Sequence, residues 1–257
     1  MTKIDKATED FYTRRLSEDP GFYTRFPNLD NVRRWAKISE FLTQIATQEQ
    51  ASARELRILD AGCNRGWLTQ MASIYGHCEG VEPVAAPVAL AHKFFPGLTF
   101  HVGTTDDLLK SRDFKPFDVV ICSEVIEHIP NKDKDEFVAS LRRCLVPRGH
   151  LVITTPRGEF FAQYARVRRL QPVEDWLTEK ETLLLFRRHG FVAREHDRAF
   201  MPQYDMSLLQ RLSASGKLRR LLSRLGLEWL QSGLQYSAAI YQVWWFQLEG
   251  GRDSPVA

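Results

Sequence analysis

Ile58-Leu59-Asp60-Ala61-Gly62-Cys63-Asn64-Arg65-Gly66 is the stretch that decides the fold. Leu56 to Asp60 is a short apolar run ending in an acid. It predicts a strand that delivers Asp60 to its carboxyl end. Gly62 lets the backbone turn sharply and approach a ligand closely. Asn64 tolerates a left-handed conformation better than most residues, and Gly66 permits close packing where the next helix begins. The spacing G-x-x-x-G is not the G-x-G-x-x-G of a dinucleotide site. Asp60 would also repel a pyrophosphate. It suits a cofactor with a cationic end, an amino group or a sulfonium.

Outward from this stretch, strands and helices alternate. A helix is predicted over Trp67 to Tyr75, and a second strand over Cys78 to Glu82. The next helix runs through Ala89 to Phe95, and a third strand covers Leu98 to Val102. Phe117 to Cys122 is continuously apolar, as a strand buried on both faces must be. A helix at Lys132 to Cys144 leads through a turn at Pro147-Arg148-Gly149 to a fifth strand, His150 to Thr154. A helix at Glu179 to His189 ends at Gly190. Phe191 to Phe200 and Ala239 to Glu249 read as the last two strands, with Trp244, Trp245 and Phe246 as core residues. The alternation predicts a parallel α/β sheet with helices on both faces and a ligand at the carboxyl ends of its strands. Glu82 lies 22 residues beyond Asp60, where an acid commonly meets ribose hydroxyls.

The chain has 257 residues, 44% apolar and 26% charged, with a net charge of +3. This excludes a disordered chain, and the small net charge gives no argument for nucleic acid. No apolar run has the length of a membrane span, and MTKIDKATED lacks the apolar core of a secretory signal. Four scattered cysteines, Cys63, Cys78, Cys122 and Cys144, argue against a zinc ribbon or a disulfide scaffold and fit a cytoplasmic protein. Residues 1–50 read as an N-terminal helical cap on a 51–257 domain. Within them, Val32, Trp35, Ile38, Leu42 and Ile45 have helical spacing. The repeated FYTR at Phe11–Arg14 and Phe22–Arg25 reads as coincidence, interrupted by Asp19-Pro20-Gly21.

The text from Ile58 to Gly66 resembles the D-x-G-C-G-x-G motif of class I S-adenosylmethionine-dependent methyltransferases, with Asn64 in place of the middle glycine. The resemblance covers about residues 56 to 200. Val81-Glu82-Pro83 is similar to the family's ribose-binding strand end, and Gly103-Thr104-Thr105-Asp106-Asp107-Leu108 to its G-D-A-E-D-L stretch beside the adenine. Phe117 to Cys122 and Leu145 to Leu151 match two further motifs of the family. The resemblance implies a Rossmann-like, seven-stranded, mostly parallel sheet whose last strands pair antiparallel. It implies that Asp60, Gly62, Cys63, Asn64 and Gly66 hold the methionine end of S-adenosylmethionine. Glu82 and Pro83 then hold the ribose, Thr105 and Asp106 the adenine, and Ser123 and Glu124 complete the site.

Ser123-Glu124-Val125-Ile126-Glu127-His128 follows the fourth strand. On a helical turn Glu124 would share a face with Glu127 or His128. Three readings remain open here: a divalent metal at Glu124, Glu127 and His128, His128 as a general base, and a plain helix buttress. The cluster is similar to that of ubiquinone-biosynthesis O-methyltransferases and of small-RNA 2′-O-methyltransferases. The RNA reading needs a further histidine before Glu179, and Gln171 to Thr178 contains none. The reading is a small-molecule methyltransferase acting on a hydroxyl of a phenol, quinol, sugar or natural-product intermediate. N-methylation, RNA methylation and a non-catalytic binding module are the alternatives. Two stretches look like acceptor-side additions, Thr155 to Gln171 and a helical insert over 201–235. Residues 206–227 carry five basic residues, no acid and a leucine stripe. They read as a lid packed on its own domain or as a surface for peripheral membrane contact.

Overall fold

A computed structural model describes residues 6–18, 24–49, 55–166, 171–201 and 208–250. Seven strands form one sheet in the order β3-β2-β1-β4-β5-β7-β6. They are β1 (Leu56–Ala61), β2 (Gly76–Glu82), β3 (Thr99–Val102), β4 (Phe117–Ser123), β5 (Leu145–Pro156), β6 (Phe191–Ala199) and β7 (Tyr241–Leu248). The first five pair parallel, and β7 runs antiparallel between β5 and β6. This is the α/β sheet that the sequence alternation and the family resemblance imply.

β4 shows why the sheet needs helices on both faces. Successive side chains point to opposite sides. Val119 and Ile121 enter one core, with Ile38, Phe41, Leu42 and Ile45 of α2 (Leu29–Glu49). Val120 and Cys122 enter the other, with Phe137, Val138 and Leu141 of α6 (Lys134–Arg143) and Phe186 of α8 (Glu179–Arg188). Full burial of each such side chain stabilises by about 1.5–3 kcal/mol. Trp244, Trp245 and Phe246 are buried as expected. α2 is thus built into the core of the sheet.

Three local expectations need correction. The buried face of α2 begins with Asn31 and Arg34, while Val32 is exposed. The first turns of α2 line a cavity through Asp30, Asn31 and Arg34 instead of entering the apolar core, so the apolar periodicity misplaces that end. The turn at Pro147-Arg148-Gly149 is a bulge inside β5, where pairing with β4 jumps from Phe117↔Leu145 to Val119↔His150 and Arg148 has φ 65°. The helix from Trp67 is α3 (Trp67–Ala72) followed by a tighter turn, Ser73–Tyr75.

Four short or N-terminal helices complete this part of the chain: α1 (Lys6–Glu18), α4 (Ala85–Phe94), α5 (Thr105–Leu109) and α7 (Phe161–Tyr164). The first FYTR lies in α1. Part of the second, and Asp19-Pro20-Gly21, fall outside the described residues. The insert between β6 and β7 is helical, with α9 (Leu208–Ala214), α10 (Gly216–Arg224) and α11 (Glu228–Ser237). β1 lies between β2 and β4, so connections leave it in opposite directions and open a crevice at the strands' carboxyl ends.

Candidate functional site

A cavity of about 960 Å³ fills that crevice. Asp60, Gly62, Cys63, Asn64, Glu82, Pro83, Thr105, Ser123, Glu124 and His128 all line it. Gly66 and Asp106 are absent from the lining.

Asp60, the penultimate residue of β1, is 1% exposed; the Thr69 hydroxyl donates to its Oδ2 at 2.7 Å. Burial pushes its carboxyl up to about 7. Gly62 turns at φ 85°, and its N–H donates to the Val81 carbonyl. A Cβ there would stand 2.3 Å from Val125 Cγ2, so glycine is required by both conformation and space. Asn64 adopts φ 48° and accepts the Arg65 N–H at its Oδ1. That local bond explains how asparagine serves at a left-handed position. Gly66 (φ 80°) packs where a Cβ would meet the Phe100 ring at 2.6 Å; its role is to seat α3 against the sheet.

Glu82 ends β2 and is buried. Its two oxygens accept the N–H groups of Asn64 and Val84, yet burial still pushes it up to about 7. Two desolvated carboxyls on one wall favour a ligand bringing positive charge and hydroxyl donors. The adenine-side expectation splits. Thr105 lines the cavity, with its hydroxyl paired to Ser140 at 2.6 Å, while Asp106 is drawn into an ion pair with Arg143 of α6. Thr104, at the position of the family's acid, instead caps α5 in a reciprocal capping box with Asp107.

Beyond β4 the chain does not form the helical face that the sequence suggests. Glu124 has φ 59°, a left-handed conformation unusual for glutamate. Within Glu124–His128, the helical part is the single 3₁₀ turn Ile126–His128. The Thr154 hydroxyl donates to Glu124 Oε1 at 2.9 Å, and the buried Arg34 guanidinium lies 3.7 Å from Oε2. Burial outweighs that attraction and pushes Glu124 up to about 8. Glu127 is buried behind the cavity wall, bonded to Thr155 and raised to about 7 by burial. The metal expectation at Glu124, Glu127 and His128 is therefore not supported. Among the described residues no three histidine, cysteine or carboxylate side chains form a metal-ligand group, because Glu124 precedes the turn and each carboxylate is engaged by a threonine.

His128 has hydrogen-bond partners at both ring nitrogens. Its Nδ1 lies 3.0 Å from the Val173 carbonyl, which can only accept, so Nδ1 carries a proton, and in the neutral imidazole Nε2 then carries the lone pair. The Gln171 amide meets Nε2 at 3.2 Å, and the Tyr12 hydroxyl donates to Gln171 Oε1 at 3.0 Å. The Lys134 ammonium donates to the Ile126 carbonyl at 2.9 Å and pins the turn that carries His128. Tyr12, Arg34, Lys134 and Gln171 are absent from any motif. Tyr12 reaches Gln171 across 159 residues of chain, Gln171 reaches His128 across 43, and Arg34 reaches Glu124 from α2, so no local spacing signals these three; Lys134 lies only 8 residues from Ile126. All four cysteines are free and buried.

A family model described as a methyltransferase domain matches residues 30–231. The chain belongs to the methyltransferase-domain family. Among curated relatives, this methyltransferase domain is 32% identical over 122 residues to the ubiquinone biosynthesis O-methyltransferase of Hahella chejuensis, covering 44% of this chain and 50% of that protein. It is 27% identical over 166 residues to the same-named protein of Saccharophagus degradans, covering 58% and 69%. The chain thus spans about half the length of the Hahella relative. A solved structure titled a sarcosine dimethylglycine methyltransferase from Galdieria sulphuraria superposes with TM-score 0.56 at 14% identity, covering 95% of this chain and 98% of that one. Magnesium protoporphyrin IX methyltransferase from Synechocystis, solved with bound S-adenosylhomocysteine, gives TM-score 0.54 at 14% identity, covering 95% of each. Both superpositions establish the shared fold of this methyltransferase domain.

Proposed function

We propose that this chain is an S-adenosylmethionine-dependent methyltransferase that acts on a hydroxyl of a small molecule. The carrying observation is one cavity with two unlike ends: desolvated Asp60 and Glu82 on one wall, and His128 with a lone pair at Nε2 on another. The names of the curated relatives support oxygen as the methylated atom.

S-adenosylmethionine, when bound, supplies an electrophilic methyl group on a cationic sulfonium. Asp60 and the turn at Gly62 would hold its methionine end, Glu82 and Pro83 its ribose, and Thr105 would border its adenine. His128 would take the acceptor's hydroxyl proton at Nε2, the position that the Gln171 amide occupies in this structure. Val173 fixes the tautomer this requires. α1 and α2 wall the cavity with Tyr12 and Arg34; they would orient the acceptor and exclude water, as alignment at about 3–3.5 Å demands.

Incubation with isotope-labelled S-adenosylmethionine and small-molecule extracts of the host tests this reading. The expected product carries label as an O-methyl group. Label on nitrogen, or no transfer to any small molecule, would overturn it.

A further inference from the structure

The insert α9–α11 inverts the usual pattern of a packed helical unit. Among its described side chains, the buried ones are polar, Ser213 and Gln231. Gln231 Nε2 donates to the Ser213 carbonyl at 2.9 Å, and Gln235 Nε2 to the same carbonyl at 3.1 Å. These amide bonds tie α11 to α9 and leave apolar groups outside. Leu208 and Leu212, one turn apart on α9, are 73% and 44% exposed. Leu221 on α10 and Leu225 at its C-cap are 55% and 61% exposed, and Trp229 on α11 is 67% exposed. None of the residues of α10 is buried. Leu218, Leu222 and Leu227 of the same stripe are half-buried, so packing within the insert accounts for those three and leaves the exposed ones without an apolar partner surface.

The charge on these helices is predominantly basic. Arg211, Lys217, Arg219, Arg220 and Arg224 stand against the single acid Glu228, whose carboxylate accepts the Ser223 hydroxyl. Exposed leucines beside basic side chains, with a tryptophan at the margin, match the interface of an anionic lipid bilayer. No helix among the described residues is long and apolar enough to cross a membrane, so the segment would lie on the surface.

We propose that α9–α11 is a docking surface for an anionic membrane. The insert leaves the sheet at Ala199 of β6 and returns at Tyr241 of β7, which pair with each other. Tyr241 also pairs with Pro156 at the carboxyl end of β5, and its ring lies under the Arg34 guanidinium that lines the cavity. Docking would therefore set the cavity's edge of the sheet toward the bilayer. The surface itself does not depend on the proposed activity.

Vesicle co-sedimentation of the full chain tests it, with phosphatidylcholine vesicles and vesicles containing one-third phosphatidylglycerol. The expected result is at least about tenfold stronger partitioning to the anionic vesicles, weakened by salt. The combined variant Leu221→Ser, Leu225→Ser, Trp229→Ser and the separate variant Arg219→Glu, Arg220→Glu, Arg224→Glu should each reduce partitioning at least about tenfold. All substituted side chains are exposed, and circular dichroism checks that the fold is kept. Equal partitioning to both vesicles, no binding to either, or unchanged binding by both variants would overturn the proposal. Absence of vesicle binding together with a dimer in light scattering would instead assign the face to a second copy of the chain.

Discussion

Asp60→Asn separates the cost of holding a functional carboxylate from its use. Burial moves Asp60 from its ordinary 3.8 to about 7 in the folded chain. The unfolded chain then ionises it first. The resulting cost is absent below about pH 3.8, grows as pH rises, and is complete above about pH 7. At about 1.4 kcal/mol per pH unit, that cost is about 2 kcal/mol at pH 5 and about 4 kcal/mol at pH 8. Asparagine has nearly the same shape and can keep its carbonyl oxygen toward the Thr69 hydroxyl, now at 2.7 Å. Denaturant unfolding of the ligand-free protein should therefore show the variant more stable than the parent, by an amount that grows with pH. Its affinity for S-adenosylhomocysteine should fall about 10- to 100-fold, the usual loss for a hydrogen bond to a charged group. A variant destabilised equally at pH 5 and pH 8, or one that binds the ligand as well as the parent, would refute the reasoning.

His128→Ala should lower kcat by about 10²- to 10⁴-fold while leaving S-adenosylhomocysteine affinity unchanged, which steady-state kinetics and calorimetry together would show. A chelator should leave turnover unchanged, because the glutamates near His128 are engaged by Thr154 and Thr155; loss of activity restored by a divalent ion would contradict the site described. Gly62→Ala should destabilise by about 2–5 kcal/mol in denaturant unfolding, combining left-handed strain with crowding against Val125. Adding Val125→Ala should recover the crowding part and leave the strain.

The sheet was legible because its signals are local. β1, β2 and β4 announce themselves as short strands leading to Asp60, Glu82 and Ser123, and those three residues do meet at one cavity. What sequence could not show is pairing at a distance. Asp106 sits in the right motif, but its partner Arg143 lies on α6, and that ion pair draws it from the cavity. The E-x-x-E-H text reads as one helical face only if the backbone is helical, and the left-handed Glu124 breaks that premise. Gln171 and Tyr12 reach His128 through contacts 43 and 159 residues apart in sequence, Gln171 to His128 and Tyr12 to Gln171. The leucine stripe of α10 was visible, but its exposure was not, because only the polar ties between α9 and α11 settle which face turns inward.

Calorimetric titration of the purified chain with S-adenosylhomocysteine, with NAD as the control, reads out which cofactor the cavity takes. The expected result is saturable binding of S-adenosylhomocysteine that Asp60→Ala and Glu82→Ala each weaken, and no binding of NAD. Binding of NAD with none of S-adenosylhomocysteine would contradict it.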